Sequence, residues 1–153
     1  MNELRRIDRA ITQEEAITLL NKDEYGILST VSENGNPYGI PLSYCFIDSS
    51  IYLHCAVEGK KLEHFKHNKS VSFCVVGSTE ILQNKFSTKY ESVVVSGKIE
   101  EVFDDYKQIG LEGLLNKYSP NFLDEGIMYI ERTAEKTKVF RISIANLTGK
   151  ARK

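Results

Sequence analysis

The sequence predicts a mainly β protein: a six-stranded antiparallel β-barrel with flanking helices, forming a single domain over residues 1–153. Three observations support this prediction. Six segments are rich in β-branched and aromatic residues, and most follow one another through short, hairpin-like connections. Few helices separate these segments, which disfavours a doubly wound parallel sheet. The length of 153 residues and the 41% share of hydrophobic residues suit one sizeable core.

The first predicted element is a helix that carries its own start signal. Residues 12–15 read TQEE, which is the spacing of a capping box. In that arrangement the Thr12 hydroxyl and the Glu15 carboxylate each accept a hydrogen bond from a backbone N–H that the helix leaves unpaired. Apolar residues then mark one helical face, and the helix is expected to end near residues 21–22.

Three strands are predicted next, at residues 25–32, 38–47 and 51–55. Residues 33–37, ENGNP, supply turn chemistry between the first two strands. Pro41 falls within the second strand and needs an edge or bulge position, because proline cannot donate a ladder hydrogen bond. We expect the three strands to form a meander with short connections.

In the rest of the chain, the spacing of apolar residues again alternates between that of helices and that of strands. A short helix is predicted at residues 60–67, strands at 70–76, 91–103 and 137–144, and helices at 104–118 and 124–134. Gly97 indicates a bulge or a barrel corner. Asp104 is expected to cap the helix that it begins, with Tyr106, Ile109 and Leu114 as the apolar face of that helix.

Composition and charge exclude several classes of function. A net charge of -1 and a pI near 6.3 leave no basic face for general nucleic-acid binding. No apolar run approaches the ~20 residues that cross a bilayer, and no apolar signal segment follows the charged N-terminus. We therefore expect a cytoplasmic protein with no membrane partner.

Cys45, Cys55 and Cys74 lack a CxxC spacing and are expected to be buried free thiols, so no metal site is predicted.

The most informative segment is the strand-to-helix junction YLHCAVEGKKL at residues 52–62. A helix N-terminus carries a positive partial charge, so Lys60 and Lys61 are locally unfavourable there by roughly 0.3–1 kcal/mol. Converging N–H groups, a permissive glycine and two ammonium groups suit a phosphate. The alternative is a solvated turn on which Glu58 and Glu63 neutralise the lysines. No GxxxxGK[ST] or GxGxxG pattern is present, which excludes a P-loop and gives a Rossmann site no support.

Other side chains allow both functional and structural interpretations. Ser29 and Thr30, near the end of the first strand, offer hydroxyls to the same phosphate or are ordinary strand residues. His54 is a structural strand histidine or a functional one, and His64 and His67 are expected to lie on the surface. The residues alone specify no protein nucleophile and no general base. This favours a protein whose cofactor supplies the chemistry.

Eight segments, taken in order, resemble the pyridoxamine 5'-phosphate oxidase-like FMN-binding split-barrel superfamily, and more narrowly its Nim-type branch of 5-nitroimidazole resistance proteins. The segments are RIDR at 6–9, GILSTV at 26–31, NGNPYGIPLSY at 34–44, IYLH at 51–54, EGKK at 58–61, VSFCVV at 71–76, YESVVVSG at 90–97 and LTGK at 147–150. Because they span nearly the whole chain, the resemblance is more specific than any single motif.

The resemblance implies a homodimer of six-stranded split barrels, with FMN in each of two clefts at the subunit interface. The cofactor-binding residues that it implies are Ser29, Thr30 and Lys61 for the phosphate, the backbone of Pro41, Leu42 and Ser43 beside the isoalloxazine ring, His54 and Ala56 near the flavin, and Tyr90 and Ser92 lining the cleft. It also implies that His54 is the residue of catalytic interest. Lys60 stands where relatives often have histidine or arginine, so the resemblance does not fix its contacts.

The same resemblance implies an FMN-dependent oxidoreductase, a flavin reductase or nitroreductase that draws electrons from NAD(P)H and reduces small, nitroaromatic-like acceptors. The extra phosphate-reading basic residues of a true pyridoxamine-phosphate oxidase are absent, so that substrate is not expected. The alternative is a non-catalytic protein that binds flavin or haem, because histidine ligates haem iron and the superfamily includes haem-binding members. A purely structural barrel would hold no chromophore.

Overall fold

The computed structural model of the chain describes residues 4–153; the N-terminal expectation concerning a signal segment falls partly on residues 1–3, which lie outside the described residues. The helices are α1 Gln13–Lys22, α2 Lys60–His67, α3 Asp104–Tyr118 and α4 Leu123–Thr133. The strands are β1 Gly26–Val31, β2 Pro37–Leu42, β3 Cys45–Ile47, β4 Ser50–Ala56, β5 Ser70–Leu82, β6 Ser87–Val102 and β7 Thr137–Arg152. No helix in this part of the chain is long and apolar enough to cross a membrane.

The strands form one antiparallel sheet in the order β2-β1-β5-β6-β7-β4-β3. The mainly β prediction with flanking helices is confirmed, but the described chain has seven strands where six were expected. The predicted second strand is divided at Ser43 and Tyr44, and its two halves lie at opposite edges of the sheet. The predicted meander is therefore wrong, because β2 pairs only with β1 and β3 only with β4.

The short link between β2 and β3 shows how the sheet is shaped. Seven strands about 4.8 Å apart would place the two edges of a flat sheet roughly 29 Å from each other. Leu42 and Cys45, the facing ends of the two edge strands, are only three Cα steps apart, which limits their separation to about 11 Å. The sheet must curl until its edges approach. No hydrogen-bonded ladder joins the edges, so the barrel is split and not closed.

The inward face of the sheet and helix α1 form the main core. Tyr44, Phe73, Leu28 and Ile142 are completely buried within it, and the rings of Tyr44 and Phe73 meet edge to face with centroids 5.0 Å apart. Aromatic pairs of this geometry add about 0.5–1.5 kcal/mol to the burial itself. The curled sheet is thus filled by side chains, and ligand sites are left to its outer face and its ends.

Two local sequence signals are confirmed. The capping box forms: the Glu15 amide donates to the Thr12 hydroxyl at 3.1 Å, and the Thr12 amide donates to the Glu15 carboxylate at 3.0 Å. The register of β6 against β7 shifts between Ser96 and Gly97, as the bulge interpretation requires. A Cβ atom at Gly97 would lie 2.1 Å from the Ser143 carbonyl oxygen, so the close approach of β7 demands glycine there.

Other expectations need correction. Asp104 begins α3 with a φ of +53°, but no side chain caps that helix. Of the predicted apolar face, Leu114 is buried, whereas Tyr106 and Ile109 are exposed. Strands β5, β6 and β7 are longer than predicted, because their ends form an antiparallel extension with the polar composition of a loop.

The three cysteines are free thiols, as expected, but only Cys45 is fully buried. Burial raises the pKa of the Cys45 thiol to about 11, and it also raises the pKa values of the half-buried Cys55 and Cys74. All three thiols are therefore protonated at neutral pH, which makes them poor nucleophiles. Within the described residues no group of His, Cys, Asp and Glu side chains is placed to hold a metal ion.

Candidate functional site

The N-terminus of α2 lacks the side-chain cap that α1 has. Its N-cap residue is Gly59, whose φ of +150° is rarely adopted by other residues, and no protein atom lies within 4 Å of the place a Cβ would take. The first backbone N–H groups of the helix thus have no side-chain acceptor from the described part of the chain. Such groups form an anion-binding site.

Two lysines flank this opening and have different surroundings. The Lys60 ammonium lies 4.9 Å from the ring centroid of Tyr38, a cation–π contact that draws it toward β2. Lys61 is half-buried, and its charge is close enough to lower the pKa of His54. Glu63 pairs with Lys66 at 3.1 Å. In the described part of the chain neither Glu58 nor Glu63 forms an ion pair with the two N-terminal lysines, which disfavours the alternative in which these carboxylates neutralise them.

A buried polar pair fixes the position of α2. The Thr30 hydroxyl lies 2.7 Å from Nδ1 of His64 and 3.4 Å from the Tyr38 carbonyl oxygen. If His64 donates from Nδ1 to Thr30 and Thr30 donates to Tyr38, each group has a partner. The Tyr38 ring packs edge-on against the imidazole, with centroids 5.6 Å apart. The prediction that His64 lies on the surface is wrong: it is 8% exposed and ties the helix to β1 and β2.

Ser29 and Thr30 point to opposite faces of β1, because side chains alternate along a strand. Thr30 is 1% exposed and faces the interior, whereas Ser29 is exposed on the outer face. Ser29 lies directly across from Gly39 on one neighbouring strand and Ser72 on the other. Its hydroxyl is therefore surrounded by small residues and open to a ligand.

His54 lies on β4, exposed at the wall of a cleft. Partial removal from water lowers the pKa of its imidazole below the ordinary value, and the Lys61 charge lowers the pKa further. The imidazole is therefore neutral at pH 7 and offers a nitrogen lone pair. Ala56 lies two residues further along the same strand and is also exposed.

The cleft beside His54 has a volume of about 710 Å³ and is lined by residues of α3, α4 and the neighbouring part of the sheet. Most of its lining surface is apolar, with Glu125 and Arg132 as charged residues on the helical side; the large apolar and aromatic residues that line it include Leu111, Leu114, Leu115, Phe122, Tyr129 and Ile130. Ser43 and His54 are among the polar groups at its sheet side. A cleft of this size with an apolar lining and a few polar groups is typical of small-molecule sites.

The segment predicted to lie beside a flavin ring is held by α3. Pro41 and Leu42 end the edge strand β2, and Ser43 is exposed in the link to β3. The Tyr118 hydroxyl accepts a hydrogen bond from the Tyr44 amide at 3.0 Å and donates to the Glu24 carbonyl oxygen. The end of α3 thus fixes the backbone at the point where the chain crosses between the sheet edges.

Tyr90 and Ser92 lie apart from the other predicted site residues. They are on the outer face of β6, opposite Arg152 and Lys150 of β7. Ser29 and Ser92 are separated by two strand spacings and four residues, a distance of ~16 Å over the sheet. One chain therefore brings Lys61 and His54 together but does not bring Tyr90 or Ser92 to them.

The chain matches a known protein family over most of its length. A family model described as pyridoxamine 5'-phosphate oxidase matches residues 12–151. No curated protein sequence matches the chain.

Solved structures share the fold. A candidate 5-nitroimidazole antibiotic resistance protein from Bacteroides thetaiotaomicron superposes with a TM-score of 0.75 at 21% identity, covering 92% of this chain and 85% of that one. A FAD-binding protein from Mesorhizobium loti gives 0.65 at 26% identity, covering 95% and 98%. A flavocytochrome from Azotobacter vinelandii gives 0.80 at 20% identity, covering 99% and 73%.

Proposed function

The chain belongs to the pyridoxamine 5'-phosphate oxidase family, and from that premise we propose that it is an FMN-binding flavoprotein whose phosphate site is the N-terminus of α2. The observation that carries the proposal is the open helix start at Gly59, with two lysines and no side-chain cap. Structural similarity to a FAD-binding protein and to a flavocytochrome supports a flavin as the ligand class.

The residues present fit a flavin phosphate. The open N–H groups of α2 and the ammonium of Lys61 supply the charge-assisted donors that a phosphate prefers. Ser29, exposed on the neighbouring strand, adds a hydroxyl. Thr30 supports the site in a different way, since its hydroxyl binds His64 and holds the helix in place. Lys60 adds charge while it rests on Tyr38.

A second group of residues would hold the ring system. The backbone of Pro41, Leu42 and Ser43 runs into Tyr44, whose amide donates to the Tyr118 hydroxyl, and Ser43 lines the same cleft as His54. His54 and Ala56 line the exposed side of β4 next to Lys61. When bound, a flavin supplies hydride and electron transfer, which the protein side chains cannot. The neutral imidazole of His54 would accept or donate a hydrogen bond at that ring.

The proposed activity is a flavin reductase or nitroreductase driven by NAD(P)H. The apolar cleft of about 710 Å³ beside His54 suits a small aromatic acceptor better than a phosphorylated one. The similarity to a candidate 5-nitroimidazole resistance protein supports a nitroaromatic-like acceptor. His54 is the proposed catalytic residue, because it is the titratable group on the sheet side of this cleft.

We further propose a homodimer that completes the site with Tyr90 and Ser92 of a second copy. A row of exposed or half-buried residues, Ile27, Cys74 and Val94, crosses the outer faces of β1, β5 and β6. Small and apolar residues in such a row favour face-to-face packing of two sheets. Light scattering should give a mass near twice 17.4 kDa, and Val94→Lys should shift it toward the monomer.

Absorption spectroscopy of the purified protein tests the flavin proposal. We expect a yellow protein with flavin bands that bleach when NADH or NADPH is added without oxygen. Mass spectrometry of the ligand released on denaturation should give the mass of FMN. A colourless protein that takes up no FMN on titration would contradict the proposal.

The second candidate is a non-catalytic haem-binding protein, and the neutral His54 at an apolar cleft is the observation that favours it. A neutral imidazole is the form that ligates haem iron. A Soret band that is present in the native protein and lost in His54→Ala would support this candidate. Flavin bands without a Soret band would exclude it.

A further inference from the structure

Lys117, in the last turn of α3, carries an ammonium group that is buried without a hydrogen-bond partner. In residues 4–153 no acceptor lies within hydrogen-bond distance of Nζ, and no carboxylate oxygen lies within 4.0 Å of it. The ring centroids of Tyr44 and Tyr118 lie 3.6 and 5.2 Å from Nζ, so two aromatic rings are its partners. Because almost all buried polar atoms in proteins are hydrogen-bonded, this unpaired cation points to a role other than stability.

Tyr44 keeps the ammonium beside the link between β2 and β3. The Tyr44 side chain is completely buried, its hydroxyl donates to the Leu20 carbonyl oxygen, and its amide donates to the Tyr118 hydroxyl. A ring anchored at its hydroxyl and at its backbone cannot turn away from Lys117. A cation–π contact removed from water is stronger than an exposed one, so it favours the charged form of this lysine.

Asp23, the residue that follows α1, carries a carboxylate whose charge acts on Lys117. Within the described residues, its Oδ2 atom is also buried and has no hydrogen-bond partner. Burial lowers the pKa of Lys117 and raises the pKa of Asp23, and the charge of each residue opposes the shift of the other. Since the two groups do not form an ion pair, the fold holds a cation and an anion at separate positions in this region.

This region adjoins the segment that is proposed to hold the flavin ring. Ser43 directly precedes Tyr44 in the chain, and Ser43, Lys117 and Tyr118 line one polar pocket of about 630 Å³ at the ends of α1 and α3. The Lys117 charge thus rests on the residue next to the backbone proposed to run beside the isoalloxazine ring. Buried charges are screened much less than exposed ones, so such a charge acts on groups ~10 Å away.

The charge of a flavin ring changes when the ring is reduced. A hydride from NAD(P)H brings two electrons and one proton to the oxidised ring, which leaves NAD(P)⁺ and a reduced ring with one more negative charge. A fixed cation near the ring stabilises the reduced form more than the oxidised form, and a fixed anion has the opposite effect. Lys117 and Asp23 should therefore act on the ring with opposite sign.

We propose that Lys117 sets the reduction potential of the bound flavin: its buried positive charge, held on Tyr44, raises that potential. The proposal rests on the proposed function, since it requires FMN beside Ser43. A raised potential favours hydride uptake from NAD(P)H and makes the reduced flavin a weaker reductant. Lys117 would thus restrict the protein to acceptors that are easily reduced.

Reduction of the FMN-loaded protein against a reference dye measures the midpoint potential. Lys117→Met removes the charge and keeps a long side chain, so the potential should become more negative. Reduced FMN should then bind roughly tenfold more weakly relative to oxidised FMN. Lys117→Arg keeps the charge and should keep the potential. Lys22→Met is the matched control, because Lys22 lines the same pocket but is exposed and paired with Glu91.

Asp23→Asn supplies a second test that does not depend on changing Lys117. It removes a negative charge from the same region, so the potential should become more positive. A loss of packing alone would not shift the potentials of Lys117→Met and Asp23→Asn in opposite directions. If Lys117→Met does not fold, the sign of the Asp23→Asn shift decides.

The outcomes separate this proposal from the proposed function. Shifts of the same sign, or equal potentials in the native protein, Lys117→Met and Asp23→Asn, would overturn the role of Lys117 and leave FMN binding intact. A native protein that binds no FMN would overturn both.

Discussion

Helices α1 and α2 differ in how the first backbone N–H groups of each helix are satisfied. Each begins with unpaired N–H groups and a positive end of its dipole. In α1 the Thr12 hydroxyl and the Glu15 carboxylate satisfy these groups from within the chain. In α2 the corresponding place holds Gly59, Lys60 and Lys61, and no side chain caps the helix. The start of α1 is thus capped from within the chain, whereas the start of α2 has no side-chain cap, as the proposed phosphate site requires.

The largest effect should come from removing the charge that is proposed to bind the flavin phosphate. Lys61→Ala should weaken FMN binding by ~1.5–3 kcal/mol, because a charge-assisted contact to the phosphate is lost. Fluorescence titration of the apoprotein with FMN measures this change. Lys66→Ala, which removes a lysine of the same helix paired with Glu63, is the control and should leave the affinity unchanged. Equal affinity for Lys61→Ala and native protein would remove Lys61 from the site.

The hydrogen bond between Thr30 and His64, which holds α2 in place, can be removed without changing Lys60 or Lys61. Thr30→Val should destabilise the protein by about 1–3 kcal/mol, because the buried His64 loses its partner at 2.7 Å. Urea unfolding followed by circular dichroism measures the free energy of unfolding. The double variant Thr30→Val/His64→Leu should lose less than the single one, since no polar group is then left unpaired. A double variant as unstable as the sum of two single losses would contradict this account.

Removal of the Thr12 cap of α1 should lower stability and leave flavin affinity unchanged. Thr12→Ala should lower the free energy of unfolding by about 1 kcal/mol, because the Glu15 amide loses its acceptor at 3.1 Å. Flavin affinity should not change, since α1 serves stability alone. Paired urea and FMN titrations check both halves of the prediction. A drop in FMN affinity would show that the two helix starts are coupled.

The smallest effect concerns the proton on His54. Its pKa should lie below the ordinary value of about 6.5, and Lys61→Ala should raise it because a neighbouring positive charge is removed. Histidine ring signals followed by NMR against pH give both values. The unfolded chain takes up this proton at a higher pH than the native protein, so His54 lowers native stability as pH falls below about 6.5. An unchanged pKa in the variant would place the Lys61 ammonium away from the imidazole.

Local features of the fold were predictable from the sequence, and long-range pairings were not. The capping box at Thr12 and the bulge at Gly97 follow from nearest-neighbour chemistry, and the structure confirms both. The division of the second strand at Ser43 carries no comparable signal, because both halves have strand composition. Strands β2 and β3 each pair with the strand next to them in the chain, and they take opposite edges because β1 pairs with β5 and β4 pairs with β7, strands that are distant in sequence.

The candidate site also combines features that have a local sequence signal with features that depend on residues distant in sequence. The helix that begins at the lysine-bearing junction of residues 59–61 was predictable from the sequence, and the binding of an anion there, inferred from two cations at the positive end of a helix dipole, stays a prediction. His64 was missed because its partner Thr30 is 34 residues away, and burial in a short helix cannot be inferred from that helix alone. The hydrogen bond from Arg9 to the Tyr90 hydroxyl was also missed, since it joins positions 81 residues apart.

The two sheet edges that meet at Ser43 and Tyr44 bear on aggregation. A free edge strand can recruit a foreign strand and start a fibre. Pro37 and Pro41 occupy positions of the same parity in β2, and each lacks the N–H that an incoming strand would need. The other edge, β3, has only three residues. The covalent link also holds the ends of the two edge strands, Leu42 and Cys45, within about 11 Å, which restricts the entry of a foreign strand at that end of the gap.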